Sequence, residues 1–316
     1  MNYDSHIDQW RNEGYTVISN LLNKNKLNES VNFMNGKYNH ISKACKDFGS
    51  DNKELEFPSG KVIDWLSIDI NLIDIVKEML QTDDILLAQS DAWCKGGLNK
   101  FNAKDNSDQR MHMDYGNNTF LHPADWYSPE TVAIIIYLSD TNITEGGTAV
   151  VPRKDNNDEL YQFPYINMPG LGGKEFYNNK TIAEDYMNKI NLGNFRSKLY
   201  DREIIPKFNI GDVLFYRLDT WHRGTPVKSG QMRNVVNLLF KKKECYWINT
   251  WNSGFTKKMY YGIIEKFFIQ MTPEQRSILG IPKPGDKYWT KQTISLLKYR
   301  YPKIDITPYT NWISNL

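Results

Sequence analysis

Cysteine is scarce in this sequence. Cys45, Cys94 and Cys245 are widely spaced, and no pair forms a C-x-x-C motif. Three distant cysteines argue against a disulfide framework and offer no cysteine pair for structural zinc. Long apolar runs are also missing: the longest, Val132 to Leu138, is far shorter than the roughly 20 residues of a membrane-spanning helix. We therefore expect neither a disulfide scaffold nor a membrane partner.

An excess of charge of either sign is also absent. The chain has 39 Lys and Arg against 37 Asp and Glu, a net charge of +2, which gives no reason to expect a nucleic-acid or anionic-membrane partner. The first residues, Met1 to His6, are polar and acidic, unlike a signal peptide. We predict a soluble, cytoplasmic protein, and the sequence leaves its oligomeric state open.

Aromatic residues are abundant, at 13% of the chain with 9 Trp and 19 Tyr, which suits a β-rich core or a stacking pocket. The first 84 residues nevertheless have mainly helical patterns. A helix is predicted at 4–13, where Asp4 or Ser5 can cap it and Gly14 can end it. A strand is predicted at 15–18, and apolar residues at helical spacing predict further helices around 27–34 and 70–80.

From residue 85 the pattern changes to β character. Thr131 to Leu138 is β-branched and apolar on both faces, which predicts a central strand buried on both sides. Other strands are predicted at 85–93, 148–151, 208–216 and 233–240. Residues 153–203 interrupt them with Pro, Gly, Asn and Lys, and we expect an insertion with a helix near 181–190 that serves as a lid or as surface decoration.

The C-terminal part is helical again. A capping box, Thr272-Pro273-Glu274-Gln275, starts one helix, and another is predicted at 290–299. Strands in the middle and helices at both ends predict one α+β domain with a mainly β core, a β-sandwich or jelly-roll. We divide it into an N-terminal helical support (1–84), a jelly-roll core with its insertion (85–245) and C-terminal helices (246–316).

Three polar residues in the β region have the spacing of a metal site. His112 and Asp114 are two residues apart, so in a strand both side chains lie on one face. His222, much later in the chain, can complete two imidazoles and one carboxylate around a metal. This is the ligand set of non-haem Fe(II) oxygenases, which leaves three coordination positions open. A 2-oxo acid can take two of them and dioxygen the last.

A basic residue follows at a fitting distance. Arg233 lies 11 residues after His222 in a β-like run that we expect to be the strand next to that of His222. There its guanidinium can grip the far carboxylate of 2-oxoglutarate as a fork. Thr225 can add a hydroxyl donor to this cosubstrate, or it is a turn residue before Pro226.

About half of the chain, from residue 85 to 240, resembles the phytanoyl-CoA dioxygenase-like family of Fe(II)/2-oxoglutarate oxygenases. The resemblance rests on His112-Met113-Asp114, on the turn and strand 145–152, on the Gly-Asp strand 211–215, on His222-Arg223-Gly224, on Arg233 and on the opening strand 13–18. It implies a cupin-like double-stranded β-helix that uses Fe(II), 2-oxoglutarate and dioxygen to hydroxylate a substrate, with release of succinate and CO2.

Two comparisons with relatives narrow the activity. Halogenating relatives lack the carboxylate ligand, so Asp114 favours hydroxylation or a related oxidation. Nucleic-acid demethylases carry a second arginine six residues after the first, where this chain has Leu239. We expect a small-molecule substrate. The alternatives are a hydroxylase of a protein or nucleic-acid side group, and a non-catalytic metal-binding jelly-roll.

The substrate itself has only weak signals. Loops next to the metal strands usually supply substrate contacts, so we expect them from 115–130 and from the insertion 153–203. Individual candidates are His122, Asp125 and Trp126 in the loop after Asp114, and Arg217, which can bind a substrate carboxylate or pair with Asp219.

Overall fold

The computed structural model of the protein describes residues 3–45, 54–97, 111–114, 128–155, 157–161, 180–189, 191–245, 263–279, 281–286, 289, 291, 294, 297–298, 301 and 303–312. The helices are α1 Asp4–Glu13, α2 Lys24–Lys37, α3 Ile70–Leu80, α4 Thr141–Thr144, α5 Lys180–Lys189, α6 Gly193–Arg202, α7 Ile263–Phe268, α8 Pro273–Ile278 and α9 Thr307–Thr310. The strands are β1 Tyr15–Ile18, β2 Leu55–Glu56, β3 Ile85–Gly96, β4 Thr131–Tyr137, β5 Thr148–Val150, β6 Val213–Tyr216, β7 His222–Gly224 and β8 Met232–Lys242. Within these ranges no helix has both the length and the apolar character that crossing a membrane requires.

α1 and α3 have the predicted bounds, whereas α2 extends beyond the predicted 27–34 at both ends. α1 ends at Gly14, whose φ of 89° is left-handed and suits glycine. α3 begins after Asp69, whose carboxylate caps the first turn. The prediction of a side-chain cap on α1 was wrong, because Tyr3 occupies the N-cap position without a side-chain hydrogen bond. Asp4 instead lies in the first turn, where its charge complements the helix dipole.

Most of the strands form one large antiparallel sheet. Its order is β1-β6-β4-β8-β3-β2, so consecutive strands in the sequence are often not neighbours in the sheet. β4 lies between β6 and β8 and is buried at all seven positions, as predicted for a central strand. Its β-branched residues therefore pack on both sides of the sheet.

A smaller sheet faces it. β5 pairs with β7 in antiparallel register, with Val150 opposite His222. Isolated bridges extend this sheet on both sides, from His222 to His112 and from Val150 to Ile204. The two sheets form the predicted α+β jelly-roll.

Each face of the large sheet packs into a different apolar cluster. Alternate residues such as Ile134, Val236 and Phe215 pack with α2, α3 and the C-terminal helices in an outer cluster. Their neighbours, such as Ile135 and Val235, join residues of the small sheet in an inner cluster. The period-two pattern of a strand thus separates helix-facing from barrel-facing side chains, and we call the latter the inner face.

The insertion contains the expected helix near 181–190, which is α5, and a second helix that was not predicted, α6. α6 packs against the small sheet: the side chain of Phe195 contacts Trp221 edge-on, with ring centroids 5.9 Å apart. The end of α6 is tied to β7, because Arg223 donates two hydrogen bonds of 2.7 Å to Glu203. This half of the insertion therefore packs against the strand that contains His222.

The C-terminal helices pack onto the outer cluster. The predicted capping box is present at α8, where the Thr272 side chain and the Gln275 side chain each bond the other residue's backbone. Arg276 is 2% exposed and donates to the carbonyl oxygens of Phe268 and Asp305. The helix predicted at 290–299 lies largely outside the described residues, and the division into support, core and tail segments stays a prediction.

Candidate metal centre

The two predicted histidine ligands lie side by side in the small sheet. The backbone N–H of each donates to the carbonyl of the other, at 2.9 Å in both directions between His112 and His222. Their ring centroids are 4.3 Å apart. Paired strands thus bring together two residues that are distant in the sequence.

Asp114 completes the group. Its backbone N–H donates to the Leu218 carbonyl at 3.0 Å, which places its side chain beside the two rings. Oδ1 of Asp114 lies 3.5 Å from Nε2 of His112 and 3.5 Å from Nε2 of His222. One potential ligand atom from each residue lies within 4.8 Å of the others. The three predicted ligands therefore converge on one point, as their spacing indicated.

The hydrogen bonds of His222 suit metal binding. Its Nδ1 lies 2.9 Å from the carbonyl oxygen of Thr220, which can only accept, so Nδ1 carries the proton. In the neutral ring the lone pair is then on Nε2, the atom that faces Asp114. A hydrogen bond that fixes the tautomer of a histidine in this way is usual for metal ligands.

The carboxylate of Asp114 is kept charged mainly by the two histidines and is oriented by Tyr216. Burial raises the pKa of Asp114, but His222, His112 and the hydrogen bond from Tyr216 outweigh it and hold the pKa well below its usual range. The Tyr216 hydroxyl donates to Oδ2 at 2.8 Å, which leaves Oδ1 to face the histidines. Burial and the Asp114 charge raise the pKa of Tyr216 well above its usual value, so it stays a donor. Two imidazole nitrogens and one ionised carboxylate, all on one side, fit a non-haem Fe(II) ion.

Removal of this hydrogen bond should weaken metal binding. We expect Tyr216→Phe to bind Fe(II) about 10- to 100-fold more weakly, the range for loss of a hydrogen-bond partner of a ligand. Anaerobic calorimetric titration measures the affinity. Tyr15→Phe is the matched control, since Tyr15 pairs with Tyr216 in the sheet and lies in the same inner cluster. Equal losses in both variants would contradict a role through Asp114.

The turn at residues 217–220, which connects Tyr216 to the strand of His222, is held by buried ion pairs. Arg217 donates to both carboxylate oxygens of Asp219, at 2.8 and 2.7 Å, and Arg153 donates to the same carboxylate at 2.7 Å. Arg217 also donates to the carbonyl of Arg11 in α1. Of the two roles expected for Arg217, the pairing with Asp219 is the one present, and a substrate contact stays a prediction.

Asp219 should be important for stability. In Asp219→Ala, two buried arginines face each other without their carboxylate, so we expect a loss of about 3–5 kcal/mol in the free energy of unfolding. Burial raises the pKa of Asp219, but Arg217 and Arg153 outweigh it and lower the pKa. This stabilisation is thus present above the unfolded-state pKa of about 3.9 and is lost as the pH falls through the lower folded-state pKa.

Urea unfolding at neutral pH and at a series of pH values below 4 measures both effects. Asp8→Ala is the matched control because Asp8 is exposed on α1. A loss below 1 kcal/mol, the usual range of an exposed ion pair, would show that the pairs contribute little.

The predicted cosubstrate arginine lies on the inner face of the large sheet. Arg233 is 3% exposed, and its guanidinium lies 5.0 Å from the ring centroid of Trp93. Nη1 donates to the carbonyl of Gly146 at 2.6 Å. Gly146 has a φ of 73°, and a Cβ there would lie 2.5 Å from the Val227 side chain, so the turn requires glycine. Arg233 is therefore held by the Gly-Gly turn that the sequence motif contains.

Thr225 contacts the same turn. Its hydroxyl donates to the Gly147 carbonyl at 2.7 Å, and its N–H donates there at 3.0 Å. Thr225 and Arg233 therefore lie together, but the hydroxyl proton of Thr225 is directed to Gly147 and must rotate to reach a cosubstrate.

One expectation about Arg233 was wrong. β8 was expected to lie next to the strand of His222, but β7 pairs with β5 in the small sheet, whereas β8 pairs with β3 and β4 in the large one. A jelly-roll sends these consecutive strands to opposite sheets, so Arg233 and His222 lie on opposite walls of the barrel.

The predicted substrate residues His122, Asp125 and Trp126 lie outside the described residues. Sequence reasoning missed Tyr216 and Thr220 as contacts of the metal group. The sequence does contain a signal for Tyr216. It lies two residues after Leu214, so both side chains are on the inner face of the strand, and it precedes His222 by six positions. Thr220 contacts His222 through its backbone carbonyl, a group that every residue has, so the residue type gives no signal for it.

The sequence matches the phytanoyl-CoA dioxygenase (PhyH) family over residues 10–235. This span contains the His-Asp-His group and Arg233. The chain belongs to the PhyH family. PhyH enzymes are non-haem Fe(II) oxygenases that use 2-oxoglutarate and dioxygen, so the protein is a 2-oxoglutarate-dependent oxygenase of this class. No curated protein sequence matches the chain.

Solved structures of other PhyH-like enzymes share the fold. The α-ketoglutarate-dependent carbocyclase SnoK from nogalamycin biosynthesis matches with a TM-score of 0.53 and 12% identity, over 80% of this chain and 89% of that chain. The epimerase SnoN from the same biosynthesis matches with a TM-score of 0.52 and 13% identity, over 76% of this chain and 82% of that chain. A complex of SnoN with Fe3+, α-ketoglutarate and nogalamycin RO matches with a TM-score of 0.51 and 13% identity, over 76% and 83% of the two chains. At these identities the likeness establishes the fold.

Proposed function

We propose that the protein hydroxylates an unactivated C–H bond of a small molecule, with His112, Asp114 and His222 as the iron ligands and Arg233 as the 2-oxoglutarate ligand. The convergence of the three ligand atoms within 4.8 Å is the observation that carries this proposal. A buried arginine on the inner face of the opposite sheet supports the second part.

The residues of the chain would divide the work as follows. His112, Asp114 and His222 hold the metal from one side, so the other positions stay open for cosubstrate and dioxygen. When bound, Fe(II) with 2-oxoglutarate and dioxygen supplies the oxidation of the C–H bond, and succinate and CO2 are released. Thr220 and Tyr216 orient the ligands through the hydrogen bonds described above.

The inner cluster would keep water from the site. Met111 and Met113, on either side of His112, are 4% and 8% exposed and pack with Trp221. Exclusion of water protects a reactive site from side reactions. Thr225 and Arg233 would hold the far carboxylate of 2-oxoglutarate beside the Gly146-Gly147 turn.

The small-molecule assignment is supported by the relatives. SnoN and SnoK belong to nogalamycin biosynthesis, and SnoN is solved with nogalamycin RO. Their activities are epimerisation and carbocyclisation, so the fold also supports oxidations other than hydroxylation. We propose a cytoplasmic location, because Cys45, Cys94 and Cys245 are all buried and form no disulfide with one another, as in a reducing compartment.

Succinate formation tests the proposal. The purified protein is incubated with Fe(II), ascorbate and 2-oxoglutarate, and amino acids, acyl thioesters and nucleosides are screened for increased succinate. A hydroxylated product with succinate in equal amount supports the proposal. Absence of succinate under all conditions, with iron bound, would favour a non-catalytic metal-binding protein.

A further inference from the structure

The inner face of β8 carries an asparagine between two apolar residues. Val235 and Leu239, two residues before and after Asn237, belong to the inner cluster. The adjacent residues Val236 and Leu238 belong to the outer cluster. Since side chains alternate along a strand, Asn237 projects into the barrel that contains the metal group. Asparagine is disfavoured in strands, so its presence at this position calls for a reason other than packing.

The side-chain oxygen of Asn237 lacks a hydrogen-bond partner. Oδ1 is buried, and among the residues that the structure describes no donor reaches it. A buried polar atom without a hydrogen bond is destabilising and is rare in folded proteins. The side chain as a whole is nevertheless partly exposed. One edge of the amide is therefore open to a group from outside the protein, and half a turn of the amide presents its oxygen at that edge.

Two other polar side chains lie beside Asn237. Asp91 is its direct partner across the pairing of β3 with β8, so the two side chains lie on the same face. Gln89 lies on that face as well, because its Nε2 donates to Oδ2 of Asp91 at 2.9 Å. All three residues are partly exposed, whereas Trp93 and Leu239 on the same face are 5% and 3% exposed. Gln89, Asp91 and Asn237 thus form a solvent-accessible group on the inner face, which we call the polar patch.

The polar patch lies between the two parts of the proposed site. Asn237 follows Arg233 on β8 by four residues, roughly 13 Å along the strand. Leu239, the next residue on the inner face, is in the same cross-strand row as Tyr216, whose hydroxyl contacts Asp114. The patch is therefore displaced from the cosubstrate arginine toward the level of the metal ligands, where a small molecule beside the metal can reach it.

We propose that Asn237 determines substrate specificity by binding a hydroxyl group, and that the substrate is an uncharged, hydroxylated small molecule. The inference rests on the proposed function and names its substrate class. A hydroxyl both donates and accepts hydrogen bonds, so it can pair with either end of the amide. Ile135, the partner of Asn237 on β4 and a member of the inner cluster, offers an apolar contact for the carbon skeleton.

Relaxation of probe protons by a bound Mn(II) ion measures binding near the metal without turnover. The protein is loaded with Mn(II) and 2-oxoglutarate, and three probes with the same ring are titrated: cyclohexanol, cyclohexylamine and methylcyclohexane. We expect cyclohexanol to bind most tightly to the wild type. Asn237→Leu should weaken cyclohexanol binding about three- to tenfold, the loss of one hydrogen bond. It should leave the binding of methylcyclohexane and of 2-oxoglutarate unchanged.

Unfolding in urea separates this role from a structural one. Asn237→Leu replaces an amide whose oxygen has no partner by an apolar side chain of similar shape, so the urea midpoint should stay the same or rise. Asn234→Leu is the matched control. Asn234 lies on the outer face of the same strand, and its Nδ2 donates to Oδ1 of Asn35 in α2 at 3.0 Å. Its replacement should lower the midpoint and leave cyclohexanol binding unchanged.

Several results would overturn the inference. Tighter wild-type binding of cyclohexylamine than of cyclohexanol would indicate a cationic substrate. Equal cyclohexanol binding by the wild type and Asn237→Leu, or none by either, would show that the amide does not contact such a ligand. Weaker 2-oxoglutarate binding by Asn237→Leu would make Asn237 a cosubstrate ligand instead. A midpoint as low in Asn237→Leu as in Asn234→Leu would show that the amide stabilises the fold. Failure of the proposed function is a separate result, in which the wild-type protein itself does not bind Mn(II) and 2-oxoglutarate.

Discussion

The His222→Ala variant is expected to lose Fe(II) binding and succinate formation together. In the proposed site His222 supplies one of the three ligand atoms, and its Nε2 lies 3.5 Å from the Asp114 carboxylate. Loss of a ligand should cost more than the roughly 10- to 100-fold that loss of a ligand's hydrogen-bond partner costs. We therefore expect at least a 100-fold decrease in metal affinity and no measurable turnover.

Metal content after anaerobic loading and gel filtration, with succinate formation by the same samples, measures both effects. His40→Ala is the matched control: His40 is an exposed histidine that caps a short 3-10 helix, far from the metal group in sequence. Circular dichroism checks that both variants are folded. A folded His222→Ala protein that binds iron as the wild type does would remove His222 from the ligand set.

The Arg233→Lys variant is expected to raise the Michaelis constant for 2-oxoglutarate about ten- to a hundredfold. Lysine keeps the charge but loses the planar fork, and a hydrogen bond to a charged group contributes roughly 1.5–3 kcal/mol. Arg233 contacts the Gly146 carbonyl through one nitrogen of its fork, and a lysine ammonium cannot reproduce that contact together with a planar grip on both carboxylate oxygens.

Initial rates over a range of 2-oxoglutarate concentrations measure this effect, and metal affinity should not change. Arg11→Lys is the matched control, since Arg11 donates to carbonyl oxygens of α3 at the protein surface. An unchanged Michaelis constant in Arg233→Lys would mean that another residue binds the distal carboxylate.

Much of the fold was predictable because its patterns are local. β4 has β-branched or apolar side chains on both faces, so burial on both sides follows from the side chains themselves. α3 and the capping box of α8 depend on residues three or four positions apart. The insertion was predicted less well, because α6 has a weak apolar pattern and is held by contacts such as Arg223–Glu203.

The sequence by itself was enough to name the candidate metal ligands and the candidate cosubstrate arginine. Four residues could be named without coordinates because their side chains can bind a metal or a carboxylate and lie at a recognisable spacing: His112, Asp114, His222 and Arg233. Local geometry implied only that His112 and Asp114 lie on the same side, because a strand places residues two apart on the same face.

Only the tertiary structure decided what surrounds them. Tyr216 and Asp114 are 102 residues apart, and Lys95 meets Arg233 through a strand pairing that spans the chain. β7 and β8 follow each other in sequence but belong to opposite sheets. Local preferences set the face of each side chain, whereas the pairing of distant strands sets its partner, because that pairing depends on the packing of the whole barrel.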